Sequence, residues 1–168
     1  DVAPQAYHAQ LYTSSGAQVS TVKAYQWMPT SDSLTLTGVN FGALPDGKYY
    51  FLFSARSVSG LAGTLKVDLT VDNTRPTLEM TVQSGQVTLA ATDGAGLRRA
   101  AVNLYDAANS RLIRAVGSTS AGTPIQSPDW SGSWPVPSGL EPGTYTLRAS
   151  VSDLAGNSRT ITTPLVIQ

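Results

Sequence analysis

Two segments of the chain repeat one another, and this repeat limits the possible folds more than any other feature. Leu44–Ala55 aligns without a gap with Leu140–Val151, and a leucine, a glycine, a tyrosine and a serine coincide. The same offset continues along the chain, where it pairs Leu69 with Leu165. Self-similarity at a fixed offset indicates two copies of one structural unit. The fold must therefore contain the same local structure twice.

The residue pattern predicts β-strands. Apolar and polar residues alternate in Gly85–Ala91 and in Tyr145–Val151, which is typical of strands with one buried face. The 15 glycines and 10 prolines interrupt the chain at short intervals, and the one helix candidate, Ala100–Ala108, fits a strand at least as well. Short strands at turn-marked spacing predict an all-β sandwich or barrel.

We interpret each copy of the repeat as the closing hairpin of an antiparallel β-sandwich. Before its hairpin the second copy has room for five further strands, predicted at Thr77–Val82, Gln86–Thr92, Ala101–Tyr105, Arg111–Val116 and Trp130–Val136. The first copy has fewer residues there, with strands predicted at Tyr7–Tyr12, Gln18–Tyr25 and Ser33–Thr37. Nothing precedes these three that resembles the first two strands of the second copy.

The chain length agrees with this shortfall. A seven-stranded sandwich takes roughly 100 residues, and the chain has 168. We therefore predict a first sandwich in residues 1–73, reduced or truncated at its opening strands, and a complete second one in residues 74–168. Pro76 lies in the short junction between them, where its fixed φ favours an extended chain at Arg75.

Three motifs resemble those of tandem bacterial immunoglobulin-like repeats. Val71–Thr77 is similar to their V-D-x-T-x-P-T boundary, Leu140–Tyr145 to their L-x-x-G-x-Y signature, and Asp153–Asn157 to their D-x-A-G-N signature. The first copy keeps the second motif at Leu44–Tyr49 and departs from the third. Such modules, also described as fibronectin type III-like, lie C-terminal to the catalytic domain in cell-envelope subtilisin-like serine proteases. They also occur in bacterial adhesins and polysaccharide-degrading enzymes.

The resemblance implies two tandem immunoglobulin-like sandwiches in an accessory region of a larger secreted or cell-surface protein. We expect a non-catalytic spacer, scaffold or interaction region whose partners are the other domains of its own polypeptide. The parent that the resemblance implies is a subtilisin-like protease. The alternative is an adhesin-type module that binds a carbohydrate or a surface receptor through exposed tryptophans.

Composition argues against other partners and against catalysis. Lys+Arg and Asp+Glu are balanced at 11 each. The chain therefore lacks the excess of positive charge that binding to nucleic acids or anionic membranes requires. There is no cysteine, and a catalytic triad would have to use the one histidine, His8, without a G-x-S-x-G motif. Nothing singles out a glycosidase pair from the aspartates and the two glutamates, Glu79 and Glu141.

Asp93, Asp153 and Asn157 form the candidate metal site. They lie in two loops, Asp93–Gly96 and Asp153–Asn157, that meet at the same end of a sandwich. Two carboxylates and an amide there could coordinate Ca²⁺, which prefers oxygen ligands. The alternative, which we favour, is that these side chains cap tight turns while glycine supplies positive φ. No other cofactor is expected.

Aromatic residues supply the other candidates. Tyr49 and Tyr145 each begin a strand after a glycine, which predicts a tyrosine corner whose hydroxyl bonds back to the turn. Trp130 and Trp134 lie on one face of their strand. If that face points inward they fill the core, the alternative we favour. If it points outward they form, with Trp27 on the other copy, a flat surface for a sugar ring.

Overall fold

A computed structural model of the chain describes residues 4–27, 40–57, 59–119 and 123–168, with the side chains of all of these except 4, 5 and 22–27. The chain divides into two compact units, Asp1–Asn73 and Thr74–Gln168. All described strand pairs are antiparallel, so the prediction of an all-β fold is confirmed.

The described part of the first unit is one four-stranded sheet. Its strands are β1 (Pro4–Thr13), β2 (Gln18–Trp27), β3 (Gly47–Ser57) and β4 (Ala62–Val71), arranged in the order β2-β1-β3-β4. A single 3-10 turn, Phe41–Ala43, precedes β3. Leu11, Tyr49 and Val71 are buried on one face of the sheet, against which Leu44, Phe51 and Leu69 pack.

The second unit is a two-sheet sandwich. Its strands are β5 (Thr77–Gln83), β6 (Gln86–Thr92), β7 (Leu97–Asp106), β8 (Leu112–Ser118), β9 (Asp129–Pro135), β10 (Gly143–Asp153) and β11 (Ser158–Ile167). One sheet has the order β11-β10-β7-β8 and the other β5-β6-β9. Alternate apolar residues of both sheets form one core, including Val87 and Leu89 from one sheet and Val102, Leu104 and Leu147 from the other.

The two units repeat one sheet with the same register. In the first closing hairpin Gly47 pairs with Val71. In the second, the equivalent Gly143 pairs with Ile167. The strands β2-β1-β3-β4 thus correspond to β8-β7-β10-β11. Within the described residues the first unit has no counterpart of β5 and β6, as the sequence predicted, and the predicted strand Ser33–Thr37 lies outside them.

The predicted strands occur close to their expected bounds, and β7 differs most. It begins at Leu97, four residues earlier than predicted. The prediction missed the first residues because two consecutive arginines interrupt the alternation there. A shift in the pairing of β7 with β10 places Leu97 opposite Asp153 and Arg99 opposite Ser152. This irregularity places the Leu97 side chain on the buried face of the sheet. The strand can therefore include the two adjacent arginines that follow Leu97.

Candidate metal centre

Two loops meet at one end of the second unit. The loop after β6 contains Asp93 and Gly96, and the loop after β10 contains Leu154 and Asn157. The Leu154 amide donates a 2.9 Å hydrogen bond to the carbonyl oxygen of Gly96. Because β7 and β10 are neighbours in the sheet, their adjoining loops are held side by side, as the sequence predicted for a sandwich.

Asp93 is buried and organises its own loop. One carboxylate oxygen, Oδ1, accepts hydrogen bonds from the amides of Ala95 at 2.9 Å and Gly96 at 3.2 Å. Its backbone amide donates to the carbonyl oxygen of Pro128 at 2.8 Å. Gly96 has a φ of 101°, which a residue with a side chain rarely adopts. Asp93 therefore has the turn-capping role that we favoured from the sequence.

Asp153 is fully buried and makes an equivalent turn. Its Oδ1 accepts hydrogen bonds from the amides of Gly156 at 2.6 Å and Asn157 at 2.8 Å. Its second carboxylate oxygen, Oδ2, is buried and has no hydrogen-bond partner among the described residues. A buried carboxylate oxygen without a partner loses its hydration and gains nothing in return. Turn capping therefore accounts for Oδ1 of Asp153 but not for Oδ2.

The carboxylates of Asp93 and Asp153 lie close together. One oxygen of each is within 4.8 Å of the other. Two ionised carboxylates at this separation repel one another, and a cation between them would remove that repulsion. The two residues suit Ca²⁺, which accepts carboxylates, backbone carbonyls and water as ligands. Of the three predicted ligands, Asn157 contributes its backbone amide to Asp153.

A shallow cavity of about 320 Å³ opens beside Asp93 in the second unit. Thr77, Thr92 and Asp129 lie in its wall, together with Thr74, Arg75, Gly94 and Pro128. Water can reach Asp93 from this side and complete the coordination of a bound ion.

The tryptophan pair packs inward. Trp130 and Trp134 alternate with exposed residues along β9 and lie against the core of the sandwich. Their rings are 5.9 Å apart and tilted by 41°. This position removes the flat exposed surface that sugar binding by these two residues would require. The side chain of Trp27 lies outside the described residues.

Glycines make room for both indoles, and the sequence analysis missed them. A Cβ added to Gly132 would lie 2.6 Å from the Trp130 ring, and one added to Gly117 in β8 would overlap the Trp134 ring. Gly132 lies midway between the two tryptophans in the sequence, at the spacing that places all three on one face of a strand. The sequence therefore contained a signal for this glycine. Gly117 comes from the facing sheet, so no local signal pointed to it.

Both tyrosines form the predicted corner. The Tyr49 hydroxyl donates to the carbonyl oxygen of Pro45 at 2.8 Å, and the Tyr145 hydroxyl donates to that of Glu141 at 3.0 Å. Each bond spans four residues and closes the turn before a long strand.

Pro76 is fully buried immediately before β5.

The residues considered for catalysis lie on different elements. His8 is half-buried in β1 and lies opposite Ser54 of β3. Glu79 in β5 and Glu141 before β10 are exposed. No helix among the described residues is long and apolar enough to cross a membrane.

The turn after β7 contains a further carboxylate that the sequence did not single out. Asp106 accepts hydrogen bonds from the amides of Ser110 at 2.8 Å and Arg111 at 3.2 Å. These backbone bonds, with a smaller contribution from the Arg111 charge, lower the pKa of Asp106 below its ordinary value.

The chain is similar to a solved structure of another protein. It is a tetra-tandem repeat in the extending region of a large adhesion protein, with 24% sequence identity and a TM-score of 0.45. The match covers 99% of this chain, which spans 43% of the length of that structure. No protein-family model and no curated protein matches the sequence.

Proposed function

We propose that the chain is a non-catalytic spacer and scaffold region of a larger secreted or cell-surface protein. The observation that carries the proposal is the repeated sheet, in which β3–β4 and β10–β11 share one register. Five residues join β4 to β5, so one folded unit follows another almost directly. In such an arrangement folded units, rather than a long flexible linker, separate the parts of the protein on either side.

The charge distribution supports the same role. The chain has no net charge, and only 13% of its residues are charged. Such a surface is solvated by uncharged polar groups and has little attraction for nucleic acids or charged membranes. We propose that its partners are the neighbouring domains of its own polypeptide.

A replacement experiment tests the spacer role. In the parent protein, residues 1–168 are replaced by two unrelated β-sandwich domains of equal length, or by a short Gly/Ser linker. An epitope tag placed just before residue 1 reports, by antibody binding to intact cells, how far the preceding part extends. We expect the unrelated domains to preserve antibody binding and the short linker to abolish it. Equal binding with the short linker would contradict a spacer.

The parent protein is the finer part of the proposal. The motifs at Val71–Thr77 and Asp153–Asn157 resemble those of modules that follow the catalytic domain of subtilisin-like proteases. We propose such a protease as the parent. Its catalytic aspartate, histidine and serine would then precede these residues. Sequencing the gene on both sides tests this, and an upstream region without such a domain would contradict it.

We propose a second function, the binding of Ca²⁺ between the two loops of the metal centre. The observation that favours it is the buried, unpartnered Oδ2 of Asp153, in a carboxylate close to that of Asp93. A cation there would neutralise both carboxylates and cross-link the loops after β6 and β10. The role we propose is structural, because such a cation would hold together two loops that are already joined by the hydrogen bond from Leu154 to Gly96.

Thermal unfolding of the 168-residue chain tests this function. A ligand that binds only the folded state raises its melting temperature by mass action. We expect Ca²⁺ to raise the melting temperature of the second unit above its value in a chelator, and Mg²⁺ to raise it less, because Mg²⁺ demands stricter geometry. A melt that neither calcium nor the chelator changes would dispose of the site.

A further inference from the structure

We propose that two copies of this chain form a symmetric dimer by pairing their β4 strands, Ala62–Val71. Within the described residues β4 lies at the edge of its sheet and pairs only with β3. The segment from Ala62 to Asp68 is exposed throughout. An edge strand presents unpaired backbone amides and carbonyls, which form a template for another strand.

The β4 edge has less protection against pairing than the other described edges. It is ten residues long, contains no proline, and pairs with β3 without a register shift. The edges β9 and β11 contain Pro135 and Pro164, and the pairings of β2 and β8 are irregular. The remaining edge, β5, has seven residues. Prolines, bulges, short length and charged side chains are the usual means by which proteins block edge pairing, and of these β4 has only the charges of Lys66 and Asp68.

The β4 edge also exposes apolar side chains. Leu65 is 61% exposed and Val67 is 41% exposed. Both lie on the face of the sheet that carries Phe51 and Phe53, since they are paired with these two residues. A second strand beside β4 would extend this apolar face and cover part of both side chains.

The sequence of β4 is complementary to itself. When two copies run antiparallel with Val67 opposite Val67, Leu65 lies opposite Leu69, and Lys66 lies opposite Asp68. Directly opposite residues share a face, so the apolar residues of the two copies continue one surface. The opposite face acquires two lysine–aspartate pairs related by the two-fold axis, as an isologous interface requires.

Charge also selects this register over its neighbours. A shift of the centre to residue 66 places Lys66 opposite Lys66, and a shift to residue 68 places Asp68 opposite Asp68. Like charges directly opposite one another destabilise a strand pair. Within one copy Lys66 and Asp68 already form a 2.9 Å ion pair, with side chains 54% and 77% exposed. In the dimer each lysine lies between two aspartates.

Sedimentation of the full 168-residue chain tests the proposal, using charge variants at this pair. Because one strand edge is a small interface, we expect dimerisation with a dissociation constant on the order of micromolar. The variants Lys66→Asp and Asp68→Lys each place like charges opposite one another and should weaken the dimer by about tenfold or more. An equimolar mixture of the two should dimerise again, because each then faces the opposite charge.

The double variant with both charges exchanged is the internal control. It restores opposite pairs in the same register and should dimerise like the original chain. Glu79→Lys on β5 is a matched surface variant that should leave dimerisation unchanged. Circular dichroism checks that every variant folds. We expect each to fold, because the substituted residues are exposed. The proposal is overturned if the chain stays monomeric at about millimolar concentration, or if the mixture does not recover the dimer.

Discussion

The amide of Leu154 donates a 2.9 Å hydrogen bond to the carbonyl oxygen of Gly96, and this bond joins the two loops that contain the buried aspartates. Each aspartate uses Oδ1 to hold its own turn. The bond between the loops then keeps the two carboxylates close, although they repel one another. The loops are thus arranged around two buried carboxylates.

Replacing Asp153 with asparagine should separate metal binding from turn capping. The asparagine keeps an oxygen for the amides of Gly156 and Asn157 but removes the buried negative charge. In chelator we expect Asp153→Asn to be more stable than the original chain, by about 1–3 kcal/mol, because an unpartnered buried charged atom disappears. The increase in melting temperature that Ca²⁺ causes should be lost. Calorimetry with and without Ca²⁺ measures both effects.

Glu141→Gln is the control for that experiment. Glu141 is exposed and precedes the start of β10, whereas Asp153 is the last residue of that strand. It should keep the calcium-dependent increase in melting temperature. A calcium response retained by Asp153→Asn would contradict the assigned site.

The tyrosine corners predict two independent stability changes. Tyr145→Phe removes the hydrogen bond to the Glu141 carbonyl, and Tyr49→Phe removes the one to Pro45. Each should lower the free energy of unfolding of its own unit by about 0.5–1.5 kcal/mol. In a calorimetric scan with two transitions, each variant should shift one transition and leave the other in place. A shift of both transitions by either variant would mean that the units unfold together.

Gly117 lies close to the Trp134 ring, so adding one methyl group at Gly117 should lower the stability of the second unit. In Gly117→Ala the new Cβ overlaps the indole, so Trp134 must move within a packed core. We expect a loss of about 1–3 kcal/mol in the free energy of unfolding and a red shift of tryptophan fluorescence. Gly94→Ala is the matched variant, since a Cβ there meets nothing within 4 Å. Equal stability of the two variants would disprove inward packing of Trp134.

The turn at Asp106 predicts a contribution to stability that depends on pH. Its pKa in the folded protein is lowered, chiefly by the backbone hydrogen bonds from Ser110 and Arg111. A lowered pKa means that the folded state favours the ionised form. The contribution is therefore complete above the ordinary value of 3.8 and is lost as the pH falls through the lower folded value.

Titration of the Asp106 carboxyl carbon by nuclear magnetic resonance measures this shift directly. We expect a midpoint below 3.8. In Asp106→Asn the group no longer titrates, so the stability of the second unit should fall less steeply between that pH and the folded pKa. A midpoint at or above the ordinary value would show that the turn does not favour the charged form.

The strands and turns could be predicted because their signals are local. Gln86–Thr92 alternates strictly, and β6 has those bounds. The glycine and tyrosine of each hairpin predicted both corners. The start of β7 was missed because its register shift depends on β10, a strand far away in the sequence. The unpartnered oxygen of Asp153 had no sequence signal, because the same motif also describes an ordinary capped turn.

The sequence by itself determined the all-β fold and the repeated hairpin, because alternation and turn residues act between near neighbours in the chain. Tertiary structure alone decided that Trp130 and Trp134 face inward, since either face of a strand can be the buried one until a second sheet covers it. It also decided that Asp93 and Asp153 share one buried site and that β4 is left as an edge. These outcomes depend on which distant strands pack together, and the chain specifies that only through the whole fold.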